Sequence, residues 1–311
     1  MNGAGRGSVR VPKALAQLGS DSITVESLGG LGNQLFILAY ALRLREETGL
    51  PVTLDISHHQ LSGARQFELL PYLPSADLEC QTSVLAGLPI ASLLLRVRLS
   101  TRTARFDPRI ERESSLAFDP RLLHVKRGAR VRAYVQSWRY LPSDISLLTS
   151  IVSQSDGESQ QVASQVVQDS KGAVAIHVRL GDYKKPQARR SHPLLTQEYY
   201  GAALSRIRER FGSLKPVIYS DSPSEALEIV RRLPLGKDAV MAPETKSPIE
   251  TLCALSSLDA LVMSNSSLSW WAAWRMGFLS ERIIAPRTWS NRPDFLWEDL
   301  IPEGVWQNSA L

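Results

Sequence analysis

The stretch Ala173 to Tyr183, AVAIHVRLGDY, sets an apolar β-branched run directly before His177, Arg179, Asp182 and Tyr183. The run reads as a strand buried on both faces of a parallel sheet. The polar residues then fall at its carboxyl end, where open α/β sheets bind ligands. An arginine fixed there suits an anionic group, because its planar fork pairs with two phosphate or carboxylate oxygens at once. The plain structural alternative is an Arg–Asp ion pair that only fastens the strand end.

Two further strands end in polar residues, Tyr219-Ser220-Asp221 and Ser264-Asn265-Ser266-Ser267. In one parallel sheet all three ends share a rim. An arginine, an acid and a hydroxyl-rich helix start on one rim fit a nucleotide diphosphate. The hydroxyls and N–H groups of Ser266, Ser267 and Ser269 would hold phosphate oxygens at the positive end of a helix. Asp221 would accept from ribose hydroxyls or a purine edge. An ordinary N-cap is the simpler reading of Ser266-Ser267. Trp270, Trp271 and Trp274 offer stacking surfaces, although three tryptophans at helical spacing are more often core. The five histidines form no ligand pattern and no Asp-x-Asp is present, so no metal is expected.

Near the start, Ser22 to Leu28 reads as a strand running into Gly29-Gly30-Leu31-Gly32-Asn33-Gln34, then a buried helix from Leu35 to near Gly49 and a strand at Pro51 to Asp55. Gly30 and Gly32 suit a turn where backbone approaches a ligand closely, with Asn33 and Gln34 offering amides at a helix start. A dinucleotide-binding turn is an alternative. Asp55 stands where its ribose acid belongs, about 20 residues on, but Leu35 replaces the third glycine. An NAD-dependent oxidoreductase is the function class that reading would imply.

After a stretch that is hard to read, Val131 to Val135 reads as a strand and Pro142 to about Asp169 as a capped helix. Strand and helix then alternate to Ala285: helices at Thr196–Phe211, Ser224–Arg232, Pro248–Ser256 and Leu268–Met276, strands at Pro216–Asp221, Asp238–Met241, Ala260–Ser266 and Arg282–Ala285. This predicts an α/β protein of two Rossmann-like, doubly wound domains, 21–150 and 151–311, after a loose leader at 1–20.

The chain has 311 residues, 43% hydrophobic and 22% charged, with a net charge of +5 and a pI near 9.3. That is a globular composition. No dense Lys/Arg run interleaves with aromatics, so nucleic acid is not an expected partner. Cys80 and Cys253 have no ligand spacing and read as reduced thiols of a cytoplasmic protein. The apolar window Val84 to Val97 is too short to span a bilayer. The arginine-rich stretch Arg96 to Arg112 reads as a solvated face. It leaves open a wall for an anionic ligand, or a peripheral contact at the inner face of the membrane.

The segments GGLGNQLF (29–36), HVRLGDY (177–183), YSDS (219–222) and SNSSLSWWAAW (264–274) resemble the α-1,2-fucosyltransferases of glycosyltransferase family 11. YVQSWRYL (134–141), EYY (198–200) and Ile301-Pro302…Trp306 are weaker echoes. The resemblance implies a GT-B fold, two Rossmann-like domains facing across a cleft. It implies inverting, metal-independent transfer of fucose from GDP-fucose, without a cofactor, to the 2-hydroxyl of a galactose-terminated oligosaccharide acceptor. The donor would lie on the C-terminal domain, at His177, Arg179, Asp221, Asn265, Ser266, Ser267 and Ser269. Arg179 would hold the diphosphate, and Asp182 or His192 would serve as the general base. Family members commonly carry two adjacent arginines at this strand end; here the second position is Leu180. A binding protein without turnover and a transferase of another nucleotide sugar are the alternatives.

Overall fold

The structure, a computed structural model, describes residues 21–60, 65–73, 79–81, 110–113, 115–154, 172–278 and 281–301. The leader, the Val84–Val97 window, the arginine-rich stretch before residue 110, the helix expected beyond residue 154, and Pro302 with Trp306 lie outside the described residues.

The first domain is built on β1 (Ile23–Glu26), α1 (Leu31–Thr48), β2 (Val52–Asp55), β3 (Glu79–Gln81), β4 (Ile110–Arg112) and β5 (Arg130–Arg132). Among the described residues these strands form a parallel sheet in the order β3-β2-β1-β5-β4. Helix α1 begins a turn earlier than its apolar pattern predicts, because Leu31-Gly32-Asn33-Gln34 is already helical. It ends at Gly49, whose φ of +64° lets its N–H return to the Arg45 carbonyl. The edge strands β3 and β4 are three residues each and carry no alternation to announce them.

The second domain comprises α2 (Ser146–Val152), β6 (Ala173–Val178), α3 (Pro186–Arg189), α4 (Gln197–Phe211), β7 (Lys215–Ser220), α5 (Pro223–Arg231), β8 (Val240–Met241), α6 (Pro248–Ser256), β9 (Ala260–Val262), α7 (Ser267–Arg275), β10 (Ile283–Ile284) and α8 (Trp297–Leu300). Its parallel sheet runs β10-β9-β6-β7-β8. Strands therefore count outward on both sides of β6, the doubly wound order that the alternating pattern predicts. Alternate β6 residues serve two cores. Val174, Ile176 and Val178 pack against α4 and α5, while Ala173 and Ala175 join a core shared with the first domain. The small alanines leave room for that shared layer.

The domains are joined by a packed seam. Phe36 of α1 lies 4.5 Å from the Trp270 ring and 5.3 Å from Trp271. Trp271 Nε1 donates to the Gly32 carbonyl at 3.0 Å, and Trp270 Nε1 to the Leu300 carbonyl at 2.8 Å. Both indoles are fully buried. They are core and offer no stacking surface, while Trp274 packs beside them partly buried. Helix α8 crosses back to the first domain. There buried Asp299 accepts from Phe118 N and pairs with Arg139 at 3.0 Å.

Gly32 shows why the turn needs glycine. A Cβ there would stand 2.5 Å from the Ser267 carbonyl carbon and 2.6 Å from Leu268 N, whereas one on Gly30 would meet nothing within 4 Å. The backbone approached at Gly32 is thus that of the other domain. Gly32→Ala should destabilise the fold by about 1–3 kcal/mol, as overpacking does, and Gly30→Ala by less than about 1 kcal/mol. Urea unfolding of both variants checks the contrast.

Candidate functional site

The centre of the second sheet is also its switch point: the chain leaves β6 toward β7 on one side, and β9 lies on the other. Ligands of doubly wound sheets bind at the carboxyl end of such a strand, and Arg179 follows β6 there. Its Nη1 lies 2.8 Å from Asp221 Oδ2. Asp221 Oδ1 accepts from Leu180 N and Gly181 N at 3.0 and 3.1 Å. A Cβ on Gly181 would fall 2.4 Å from Asp221 Oδ2, so glycine is required for this fit. Asp221, expected on the ribose or base, holds the strand end and aims the guanidinium, and its side chain stays partly exposed. Leu180, in the place of a second arginine, is buried against α4 and belongs to the apolar core.

His177 is corrected in the same way. It is buried, its Nδ1 lies 2.5 Å from Ser269 Oγ and 3.2 Å from Ser264 Oγ, and Ser264 N donates to Ser269 Oγ. Neither His177 nor the fully buried Ser269 is open to a donor; together they anchor the first turn of α7 to β6. Burial lowers the His177 pKa to about 4, with the charge of Arg179 adding to the effect and that of Asp221 opposing it. Asn265 is also buried, its amide donating to the Pro193 carbonyl at 2.9 Å. It fixes the loop that carries His192. Ser266 caps α7 by accepting from Leu268 N, and Ser266 and Ser267 remain partly exposed.

Of the two candidate bases, His192 stacks on Tyr183 with centroids 4.7 Å apart and planes 8° from parallel. The Arg179 guanidinium lies 5.8 Å from the Tyr183 ring, and the Tyr183 hydroxyl donates to the Asn265 carbonyl. Burial, then Arg179, lowers the His192 pKa, so its imidazole is neutral. Asp182 opens a short turn, Asp182–Lys184, and its side chain lies outside the described residues.

On the facing domain, Gln34 is fully engaged: its amide donates to the Gly29 and Gln66 carbonyls and its oxygen accepts from Glu68 N. It orders the 66–68 loop and is not a ligand group. Asn33 stays partly exposed and accepts from Gln136 Nε2 at 2.7 Å. Asp55 is held by Arg130 and by Ser57, which closes the place a nicotinamide dinucleotide's ribose would need. No dinucleotide turn survives these contacts.

The helix starts themselves meet here. The first turns of α1 and α7 contain no acidic residue, and α1 has no side-chain cap at Gly30. Their contact at Gly32 and Ser267 brings two positive helix ends together on the rim that carries Arg179. Such a rim is electrostatically suited to an anion. Among the described residues no three His, Cys, Asp or Glu side chains gather as a metal site.

Two Rossmann-like domains, joined by a seam at their carboxyl rims, form the architecture of the GT-B glycosyltransferases. More narrowly, residues 156–301 match the model of glycosyl transferase family 11. The chain is 29% identical over 132 residues to an α-1,2-colitosyltransferase of Escherichia coli, covering 42% of this chain and 46% of that protein. It is 23% identical over 173 residues to the E. coli O-antigen biosynthesis glycosyltransferase WbnK, covering 54% and 57%. The matched region thus spans about half the length of these relatives. Similar solved structures include NodZ α-1,6-fucosyltransferase soaked with GDP-fucose (TM-score 0.46, 12% identity, 88% of this chain and 97% of that one). A family 9 glycosyl transferase of Veillonella parvula is also similar (TM-score 0.48, 12% identity, 94% and 86%).

Sequence reading missed Glu113 and Arg292, which the fold brings toward each other from opposite domains. The only signal was an acid placed at the end of an arginine-rich stretch.

The neutral, buried His177 has a testable consequence. Its folded pKa lies below the unfolded value near 6.5, so its contribution to stability is complete above that value and is lost as pH falls toward 4. Stability should drop by about 2 kcal/mol between pH 7.5 and 5 from this group alone. His177→Gln should flatten that part of a pH series of denaturant titrations.

Proposed function

We propose that the chain transfers L-fucose from GDP-fucose to the 2-hydroxyl of a galactose in a glycan, with inversion and without a metal ion. The observation that carries this reading is Arg179, fixed by Asp221 at the switch point beside two converging helix ends, within the family 11 region. As the bond from C1 to the β-phosphate oxygen breaks, negative charge grows on the diphosphate. A guanidinium and two helix ends already in place stabilise that charge more than the ground state, without reorganisation during the step. These groups take the part that a divalent cation would otherwise play.

Ser266 and Ser267 supply hydroxyls toward the phosphates, and the neutral His192 stands on the arginine's side of the cleft. The similar E. coli protein named for colitose transfer favours a second donor for comparison, the nucleotide sugar of that deoxyhexose.

The test is GDP release from GDP-fucose with lactose or another β-galactoside, in the presence of EDTA. Turnover should persist in EDTA, and Arg179→Ala should lower kcat by about 10²–10³-fold, the loss expected for one preorganised charge-stabilising group. Activity with the colitose donor alone would move the donor assignment. Tight GDP binding without turnover of either donor would make this a binding protein.

A further inference from the structure

Inverting displacement brings the nucleophile to C1 from the side opposite the leaving diphosphate. With the diphosphate on Arg179 and the start of α7, both of the second domain, a proton acceptor on the first domain would stand across the cleft from the leaving group. Asp182 and His192 both stand on the arginine's own domain. The first domain presents a different acid. Glu113 follows β4 directly, past the last paired residues Arg112 and Arg132, at the carboxyl rim of its sheet.

Three features distinguish Glu113 from a surface carboxylate. Its Oε2 accepts from Val135 N at 3.1 Å. To present that N–H, Val135 adopts a φ of +47°. This is a costly conformation for a β-branched residue, of the kind held in place at functional sites. Second, Tyr134 is an aromatic residue left 41% exposed beside this acid, a flat surface of the kind a sugar ring lies on. Third, the loop of the second domain that faces Glu113 is tied to the donor side. Arg292 and Asp294 act on Glu113 electrostatically and pair with each other at 2.6 Å. Neighbouring Ser290 and Asn291 donate to the Ser191 carbonyl, one residue from His192. Glu113 therefore stands at the boundary of the two domains, beside the loop that is tied to the His192 segment.

We propose that Glu113 is the catalytic base of the transfer and that Tyr134 is the platform for the acceptor sugar. This assignment rests on the inverting reading above. The Glu113 carboxylate takes the proton of the acceptor hydroxyl as the new O–C1 bond forms. The bond from C1 to the β-phosphate oxygen breaks, and its electron pair leaves with the nucleoside diphosphate. The neutral acid then returns its proton to water.

Burial raises the pKa of Glu113, and the nearby Asp294 charge acts the same way, while the backbone at Tyr134 and Val135 and the charge of Arg292 oppose them. Tyr134 and Tyr140 are the other titratable groups whose charges couple to it. The net effect makes Glu113 a stronger base than an ordinary carboxylate, which general-base catalysis requires.

The experiment compares wild type, Glu113→Gln, Glu113→Asp and Tyr134→Ala in steady-state transfer from GDP-fucose to a β-galactoside. GDP affinity and thermal midpoint are measured for each. Glu113→Gln keeps an acceptor for the Val135 N–H. It should lower kcat by about 10²–10³-fold with GDP affinity within twofold of wild type, and abolish the acidic limb of the pH profile. Glu113→Asp should recover part of the rate with that limb restored. Tyr134→Ala should raise the acceptor KM about tenfold and leave the donor KM unchanged. Wild-type turnover that survives Glu113→Gln within threefold, or a rate loss matched by lost GDP affinity or folding, would overturn this assignment alone. A wild-type chain that consumes no GDP-fucose would overturn the transferase reading and this assignment with it.

Discussion

The backbone-to-backbone contact of Gly32 with Ser267 and Leu268 is the constraint on which the rest of the molecule depends. With no side chain on Gly32, α1 can bring its first turn against the first turn of α7. The indole of Trp271 then reaches the Gly32 carbonyl, and Phe36 fills the space against both tryptophans. One apolar core continues through the two domains as a result. The same contact fixes the distance between the rim that carries Arg179 and the rim that carries Asn33 and Glu113. The fit between the domains and the placement of the two rims thus share one position in the chain.

Around that seam the second domain uses buried polar groups to set the rim without presenting them to a ligand. His177, Ser264 and Ser269 tie α7 to the central strand, Asp221 ties the Leu180–Gly181 turn to β7, and Asn265 ties the His192 loop to the rim. Each is satisfied by at least one partner, which is what lets a polar group sit inside a core. The groups left to act on an anion are a guanidinium held at one end by a carboxylate and two helix ends whose first turns carry no acid. Such an array is already oriented before substrate arrives, which in the proposed transfer would favour the step that moves negative charge onto a phosphate.

The alternation of apolar strands and amphipathic helices after residue 170 made the second sheet legible. Pro248–Ser256 matches its predicted bounds, and Thr196 caps its helix as its pattern predicts. The motifs also located Arg179 and the rim. Their roles were less legible, because residue type and position at a strand end say nothing of which way a side chain turns. His177, Ser269 and Gln34 read as ligand groups and serve as ties, as Asp221 does on one side of its carboxylate, since hydrogen-bond partners 32 to 92 residues away appear only when the strands are side by side.

The chain alone determined the periodicities, the glycine positions and the hydroxyl-rich helix start, because these are local and follow from backbone sterics and side-chain spacing. Tertiary structure decided what each was for. Gly32 admits a neighbouring domain, three tryptophans close a core, and an acid just past an arginine-rich stretch comes to stand near a loop of the other domain. Those outcomes depend on contacts between segments more than a hundred residues apart, and no local pattern encodes the meeting of Gly32 with Ser267 or of Glu113 with Arg292. The physical reason is that packing and desolvation are properties of the assembled surfaces, fixed only when both sides are in place.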